Sequence, residues 1–102
     1  MNHAMNPAKV SRENLRTLTD LPNVGPAMAQ DLRLLGIHTP EDLQGKDAFV
    51  LYDTLCRVTG TCHDPCVLDV LMSVVDFIEG GKPRAWWEFT PRRKAAIAAR
   101  LR

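Results

Sequence analysis

Cys56, Cys62, His63 and Cys66 place four nitrogen- or sulfur-bearing side chains within eleven residues, and these are the donor types that hold zinc. Their spacing argues against a shared ion. There is no Cys-x-x-Cys pair, and the adjacent Cys62 and His63 have poor geometry for two ligands of one tetrahedral metal. Cys56 falls on the inward face of a predicted helix, where a thiol acts as a small apolar filler. Cys66 is the candidate reactive thiol. With Asp64 as cap it is the second residue of a helix, among free N–H groups at the positive end of the dipole. Asp64 also opposes its ionisation, and the plainer reading is a thiol buried at the top of that helix. No catalytic set accompanies these residues. His3, His38 and His63 are scattered, no Ser or Cys sits in a nucleophile elbow, and no glycine-rich loop has nucleotide-binding spacing. The expectation is a non-enzymatic chain without metal or cofactor.

Two other groups of residues suggest binding. The first is Leu21-Pro22-Asn23-Val24-Gly25-Pro26, in which two prolines, an Asn and a Gly force a tight turn. Pro26 suits the first position of the helix that follows. The second is the C-terminal set Lys82, Arg84, Trp86, Trp87, Arg92, Arg93, Lys94, Arg100 and Arg102, basic residues interleaved with aromatics. Charge for phosphate and rings for stacking are what a nucleic-acid groove uses. The plainer reading has a buried Trp clamping the loop onto the body and the charges solvated. Arg92, Arg93 and Lys94 fall in the first turn of the last predicted helix, the wrong end for its dipole. Either body acids such as Asp69 and Asp76 or an external polyanion must favour them there.

The elements that position these groups read as helices throughout, with no sustained strand alternation. Ser11 is a plausible cap for a first helix carrying Leu15 and Leu18 and ending near Asp20. The helix opened by Pro26 keeps Met28, Leu32 and Leu35 on one face and stops at Gly36. Thr39-Pro40-Glu41-Asp42 opens one or two turns up to Gly45. Asp47 caps a helix with Ala48, Leu51, Tyr52 and Leu55 inward, closed by Gly60. Asp64-Pro65 opens the longest helix, residues 65–79. Its polar positions Asp69, Ser73, Asp76 and Glu79 form one narrow stripe, and apolar residues fill the rest, so it should be central. Thr90-Pro91 opens the last helix. Leu43-Gln44-Gly45-Lys46-Asp47 echoes Leu21-Pro22-Asn23-Val24-Gly25, a hint of two hairpin–helix units about a pseudo-twofold.

These 102 residues suit one domain, and 45% hydrophobic with 25% charged residues excludes a largely disordered chain. The net charge of +1 is uninformative, but its distribution is not. From Lys82 onward seven bases face the single acid Glu88, against six bases and eleven acids before it. Three cysteines are few for a secreted disulfide scaffold, and neither a signal peptide nor a bilayer-spanning run is apparent, so a cytoplasmic chain without a membrane partner is expected. Residues 1–7 are expected to be disordered and 8–102 to form a single all-α domain of five or six short helices.

The stretch Leu21-Pro22-Asn23-Val24-Gly25-Pro26-Ala27-Met28-Ala29-Gln30-Asp31-Leu32 resembles the helix-hairpin-helix motif, with Leu21, Pro22, Val24, Gly25, Ala29 and Leu32 matching. In that motif a turn and a helix N-terminus aim free N–H groups at a phosphate without reading sequence. Here Asn23 replaces a glycine, Pro26 removes one donor, and Met28 and Gln30 stand where a base would help. Residues 18–58 also resemble the C-terminal domain of competence-regulator proteins. Over Leu18 to Lys94, the succession of L-P-N-V-G-P, L-G-I-H-T-P-E-D-L, L-Y-D-T-L-C, H-D-P-C-V-L-D-V and W-W-E-F-T-P is similar to the bacterial pathogenicity locus family, some of whose members carry a mitomycin-resistance label. The resemblance implies an all-α, SAM-like helix-hairpin-helix fold and a DNA-related role. On this reading the backbone at Asn23, Val24, Gly25 and Ala27 holds a phosphate, with Arg33, Arg92, Arg93 and Lys94 supplying charge. The alternative is a protein-interaction adaptor in which the hairpin is purely structural.

Overall fold

Short-range capping sets most helix boundaries. In the computed structural model, which describes residues 5–100, the chain is all-helical. Four α-helices, α1 (Pro26–Leu34), α2 (Ala48–Thr59), α3 (Pro65–Ile78) and α4 (Thr90–Arg100), alternate with 3-10 turns at Pro7–Lys9, Arg12–Asn14, Leu18–Asp20, Pro40–Leu43 and Trp86–Phe89. The Asp47 carboxylate accepts from the amides of Phe49 and Val50, and that of Asp64 accepts from Cys66. Gly60 closes α2 with a left-handed φ of 71°. No helix among the described residues is long and apolar enough to cross a membrane.

The segment before α1 differs from the expected helix. Ser11 makes no side-chain cap, and residues 12–20 form two separate 3-10 turns with Leu15 between them. The cause lies in two side chains. Asp20 Oδ2 accepts from the amides of Arg16 and Thr17, both at 2.9 Å, and so folds the chain back before a helix can propagate. Arg12 is drawn away to α3, where it donates to the carbonyls of Phe77 and Gly81, each at 2.8 Å, with its guanidinium 4.1 Å from the Phe77 ring centroid. It thereby caps the C-terminus of α3 from a distant part of the chain. Residues 5–7 also make hydrogen bonds. Met5 accepts from the Asn23 amide at 2.9 Å, and Asn6 caps the turn at Pro7–Lys9. Residues 1–4 lie outside the described residues.

The sequence echo has a structural counterpart. Thr17 and Asp20 form a capping box, and so do Thr39 and Asp42. Asp42 accepts from the amides of His38 and Thr39 as Asp20 does from its own pair. These amide bonds hold both carboxyls below the ordinary aspartate range. A fully buried leucine follows each box, Leu21 and Leu43, and then a left-handed residue, Asn23 at φ 66° and Gly45 at φ 74°. The helix N-caps are Gly25 and Asp47. The same turn is thus built twice, each time leading into a helix.

Central α3 packs against α2, α4 and the turns at 40–43 and 86–89. Its apolar side is buried through Leu68, Leu71, Val74 and Phe77, which meet Leu18, Leu21, Leu32, Leu43 and Leu51. Most of the polar stripe is covered, and only Glu79 at its end is exposed. Asp69 and Ser73 are fully buried, Asp76 is half-buried, and the Glu79 carboxylate accepts from the Gly45 amide at 3.3 Å. Neighbouring elements sit on the stripe because each brings a polar group to it.

Gly81 fits closely at the end of α3. A Cβ there would run into Asp76 Oδ2 and lie 2.9 Å from the Asp76 carbonyl oxygen. The carboxylate can rotate away, but the backbone cannot move without disturbing the carbonyls that Arg12 caps. Gly81→Ala should therefore cost about 1–3 kcal/mol in urea unfolding, the usual range for overpacking. An unchanged midpoint would show that the turn relaxes freely.

Candidate nucleic-acid interface

The turn ahead of α1 is set by Asn23. Its backbone is left-handed, as its residue type allows, and its side chain is buried. Nδ2 donates to Ser73 Oγ at 3.0 Å and to the Arg84 carbonyl at 2.7 Å. One amide group thus ties the turn both to the polar stripe of α3 and to the loop that carries Lys82, Arg84, Trp86 and Trp87. Nothing in the local sequence pointed to this role, although an Asn where the motif has a glycine is the residue that can combine that backbone angle with a side-chain donor.

The amides expected to hold a phosphate separate into two groups. Asn23 N–H is bonded to Met5 and Val24 N–H to the Leu21 carbonyl, the latter at 3.4 Å, while the Val24 side chain is fully buried. Gly25 is the N-cap of α1, with extended angles of φ −98° and ψ −175°, so the turn's left-handed residue is Asn23 and not Gly25. Ala27 is exposed in the first turn. α2 and α3 are capped by Asp47 and Asp64, whereas α1 has no side-chain cap and no acid in its first turn. Of the three, it is α1 whose N-terminal end lacks a carboxylate. Arg33 is exposed but lies in the last turn of α1, about 10 Å along the axis from the N-terminal end. It is not brought to the turn.

Arg93 answers the question raised by bases at the wrong end of a helix. Its Nε and Nη2 donate to Asp69 at 2.9 and 3.3 Å, Thr90 Oγ1 donates to the same carboxylate at 2.7 Å, and the Arg93 side chain is 13% exposed. A body acid, not an external anion, holds it. The pairing raises the Arg93 pKa above its ordinary value through the hydrogen bonds to Asp69. Arg92 and Lys94 remain exposed, Arg92 with its guanidinium 5.0 Å from the Phe89 ring centroid. Because Asp69 and Ser73 are four residues apart on one face of α3, the first turn of α4 and the turn at Asn23 lie on the same face of that helix. Arg102 lies outside the described residues.

The aromatic loop departs from a simple Trp clamp. The buried ring is Phe89, while Trp86 is half-buried and Trp87 is 62% exposed. Trp86 meets Trp87 edge to face, with centroids 5.6 Å apart and planes at 83°.

At the cysteines, no group of three or more His, Cys, Asp or Glu side chains converges as a metal site among the described residues. Cys56 Sγ accepts from the His63 amide at 3.5 Å, His63 Nε2 bonds Thr59 Oγ1, and Cys62 is exposed. Cys66 sits in the first turn of α3, as expected, but hydrogen bonding to the Asp64 side chain, followed by burial, pushes its thiol pKa up. The thiolate is disfavoured there.

With this geometry in view, residues 11–95 match the family described as pathogenicity locus. The chain belongs to the pathogenicity locus family. Its membership covers both capped turns, all of α1 to α3 and most of α4. The chain is also similar to the mitomycin resistance protein McrB of Streptomyces lavendulae, with 41% identity over 81 residues, covering 79% of this chain and 77% of that protein. No solved structure matches it.

Proposed function

We propose that this pathogenicity locus protein is a small non-enzymatic helix-hairpin-helix protein that binds DNA weakly and without sequence choice. The observation that carries the reading is the N-terminal end of α1, which follows a tight left-handed turn and carries no capping side chain or acid. Helix N-termini of this kind accept a phosphate oxygen. Support also comes from the repeated capped turn and from the basic loop that Asn23 fastens beside it. The residues given the role are the exposed backbone at Ala27, with exposed Arg84, Arg92 and Lys94 supplying charge, while Gly25, expected to share the phosphate, is buried behind the turn. Asn23, Val24 and Arg93 serve as internal supports.

The test is the salt dependence of duplex binding. Neutralising about 2–4 phosphates predicts a slope of log K against log salt of roughly −2 to −4, with micromolar or weaker affinity at physiological salt. Arg92→Ala with Lys94→Ala should flatten the slope by about two. Ala27→Glu places a carboxylate in the first turn of α1, which favours the helix while repelling phosphate, so it should weaken binding without loss of stability. No binding of folded protein even at about 50 mM salt would end the DNA reading.

A second reading is a protein-interaction adaptor. It is favoured by a cavity of about 250 Å³ lined by Phe49, Met72, Val75 and Phe89, with Lys46 and Arg92 also on its walls. An adaptor predicts no salt-sensitive DNA affinity.

A further inference from the structure

We propose that Trp87 is a stacking platform for an unpaired base, so that the DNA favoured by this protein is a duplex with a single-stranded extension rather than an uninterrupted duplex. The inference rests on the DNA reading above and names its substrate class. Duplex bases are stacked on each other, and a backbone-binding protein has no use for a projecting ring. An unpaired base offers a free π-face.

Three observations point to such a base. Trp87 is 62% exposed, whereas its neighbour Trp86 is half-buried and holds it edge-on, so the Trp87 ring is both buttressed and accessible. A ring that served only packing would be covered. The ring lies on a loop whose other charged residues are Lys82, Arg84 and Glu88, with exposed Arg92 just beyond, an excess of cations over the one acid. Glu88 lies 3.6 Å from Arg84, with both side chains 47% exposed, a surface pair that a phosphate can displace. Most important, the loop is anchored to the turn before α1 by the 2.7 Å bond from Asn23 Nδ2 to the Arg84 carbonyl. That bond sets the basic loop and its exposed ring beside the turn that leads into α1. Cations flanking a ring fit a nucleobase on its phosphodiester chain better than an apolar protein surface, which offers nothing to the exposed charges of Lys82 and Arg92.

The experiment compares a blunt duplex with the same duplex carrying a short thymidine overhang of about six nucleotides, by fluorescence anisotropy at about 50 mM salt. Wild type should bind the overhang duplex about 5- to 30-fold more tightly and show tryptophan quenching with it. Trp87→Ala should erase the preference and the quenching while leaving blunt-duplex affinity unchanged, and Trp87→Phe should restore part of the preference. Far-UV circular dichroism checks that both variants are folded. Equal affinity of wild type for the two DNAs, or a preference that survives in Trp87→Ala, overturns the inference while blunt-duplex binding leaves the DNA reading standing. If neither DNA binds, both readings fall. In that case, capture of an apolar peptide that is lost in Trp87→Ala would assign the ring to a protein partner.

Discussion

Asp69→Ala should destabilise the fold by about 3 kcal/mol, the low end of the range for a buried pair, because Asp69 is fully buried but Arg93 keeps some access to water. Asp69 is fully buried, and its two carboxylate oxygens accept from Arg93 Nε, Arg93 Nη2 and Thr90 Oγ1. Alanine takes from the Arg93 guanidinium the carboxylate that docks the first turn of α4 on α3. Against the roughly 5–15 kcal/mol that holds a domain together, such a loss is a large fraction of the margin. Urea unfolding or a thermal melt measures it. Asp69→Asn retains an acceptor oxygen but not the charge and should fall between wild type and alanine. The double variant Asp69→Leu with Arg93→Met removes both charges and fills the space, so it should recover most of the loss. A cost below about 1 kcal/mol for Asp69→Ala would mean that Arg93 finds water without moving α4.

The second large effect is expected at Asn23. Asn23→Ala places a Cβ-bearing residue without compensating hydrogen bonds at φ 66° and leaves the Arg84 carbonyl without its side-chain donor. Strain of about 1–2 kcal/mol in the left-handed region and about 1–3 kcal/mol for the lost buried bonds give a total of about 2–5 kcal/mol. Asn23→Gly separates the two contributions. It keeps the backbone angle and loses only the bonds, so it should be milder than alanine. Asn23→Asp should be at least as damaging as alanine, since it turns a donor into a carboxylate facing the Arg84 carbonyl in a buried site. If alanine and glycine cost the same, the left-handed angle carries no strain here. Loss of the tie to Arg84 should also free the Trp87 loop, which increased protease cleavage between Lys82 and Phe89 would report.

Sequence determined the all-helical class, the starts of the four α-helices and the repeated turn. Each is written in contacts of four residues or fewer. Asp47 and Asp64 reach the next two or three amides, Pro26 and Pro65 fix the first φ of a helix, and Gly60 adopts the left-handed angle that ends one. The pathogenicity locus resemblance was likewise carried by local strings, and the match over residues 11–95 bears it out. Even the left-handed residue of the first turn was legible, as an Asn in a motif glycine's place.

Tertiary structure decided everything that depends on a distant partner. Arg12 meets the end of α3, Asn23 meets Ser73 and Arg84, and Arg93 meets Asp69, pairings that span from 24 to 69 residues of chain. Periodicity marked Asp69 and Ser73 as polar but could not tell whether that stripe faced water or neighbouring elements. A helical pattern records only which residues share a face, not what is packed against it. The same gap turned the expected first helix into two 3-10 turns, since Arg12 is spent on α3 rather than on its own segment. It also chose Asp69 over an external anion as the partner of Arg93 and left Trp87 rather than Trp86 exposed. A buried polar group must find a partner wherever the fold brings one, and that location is a property of the packed chain.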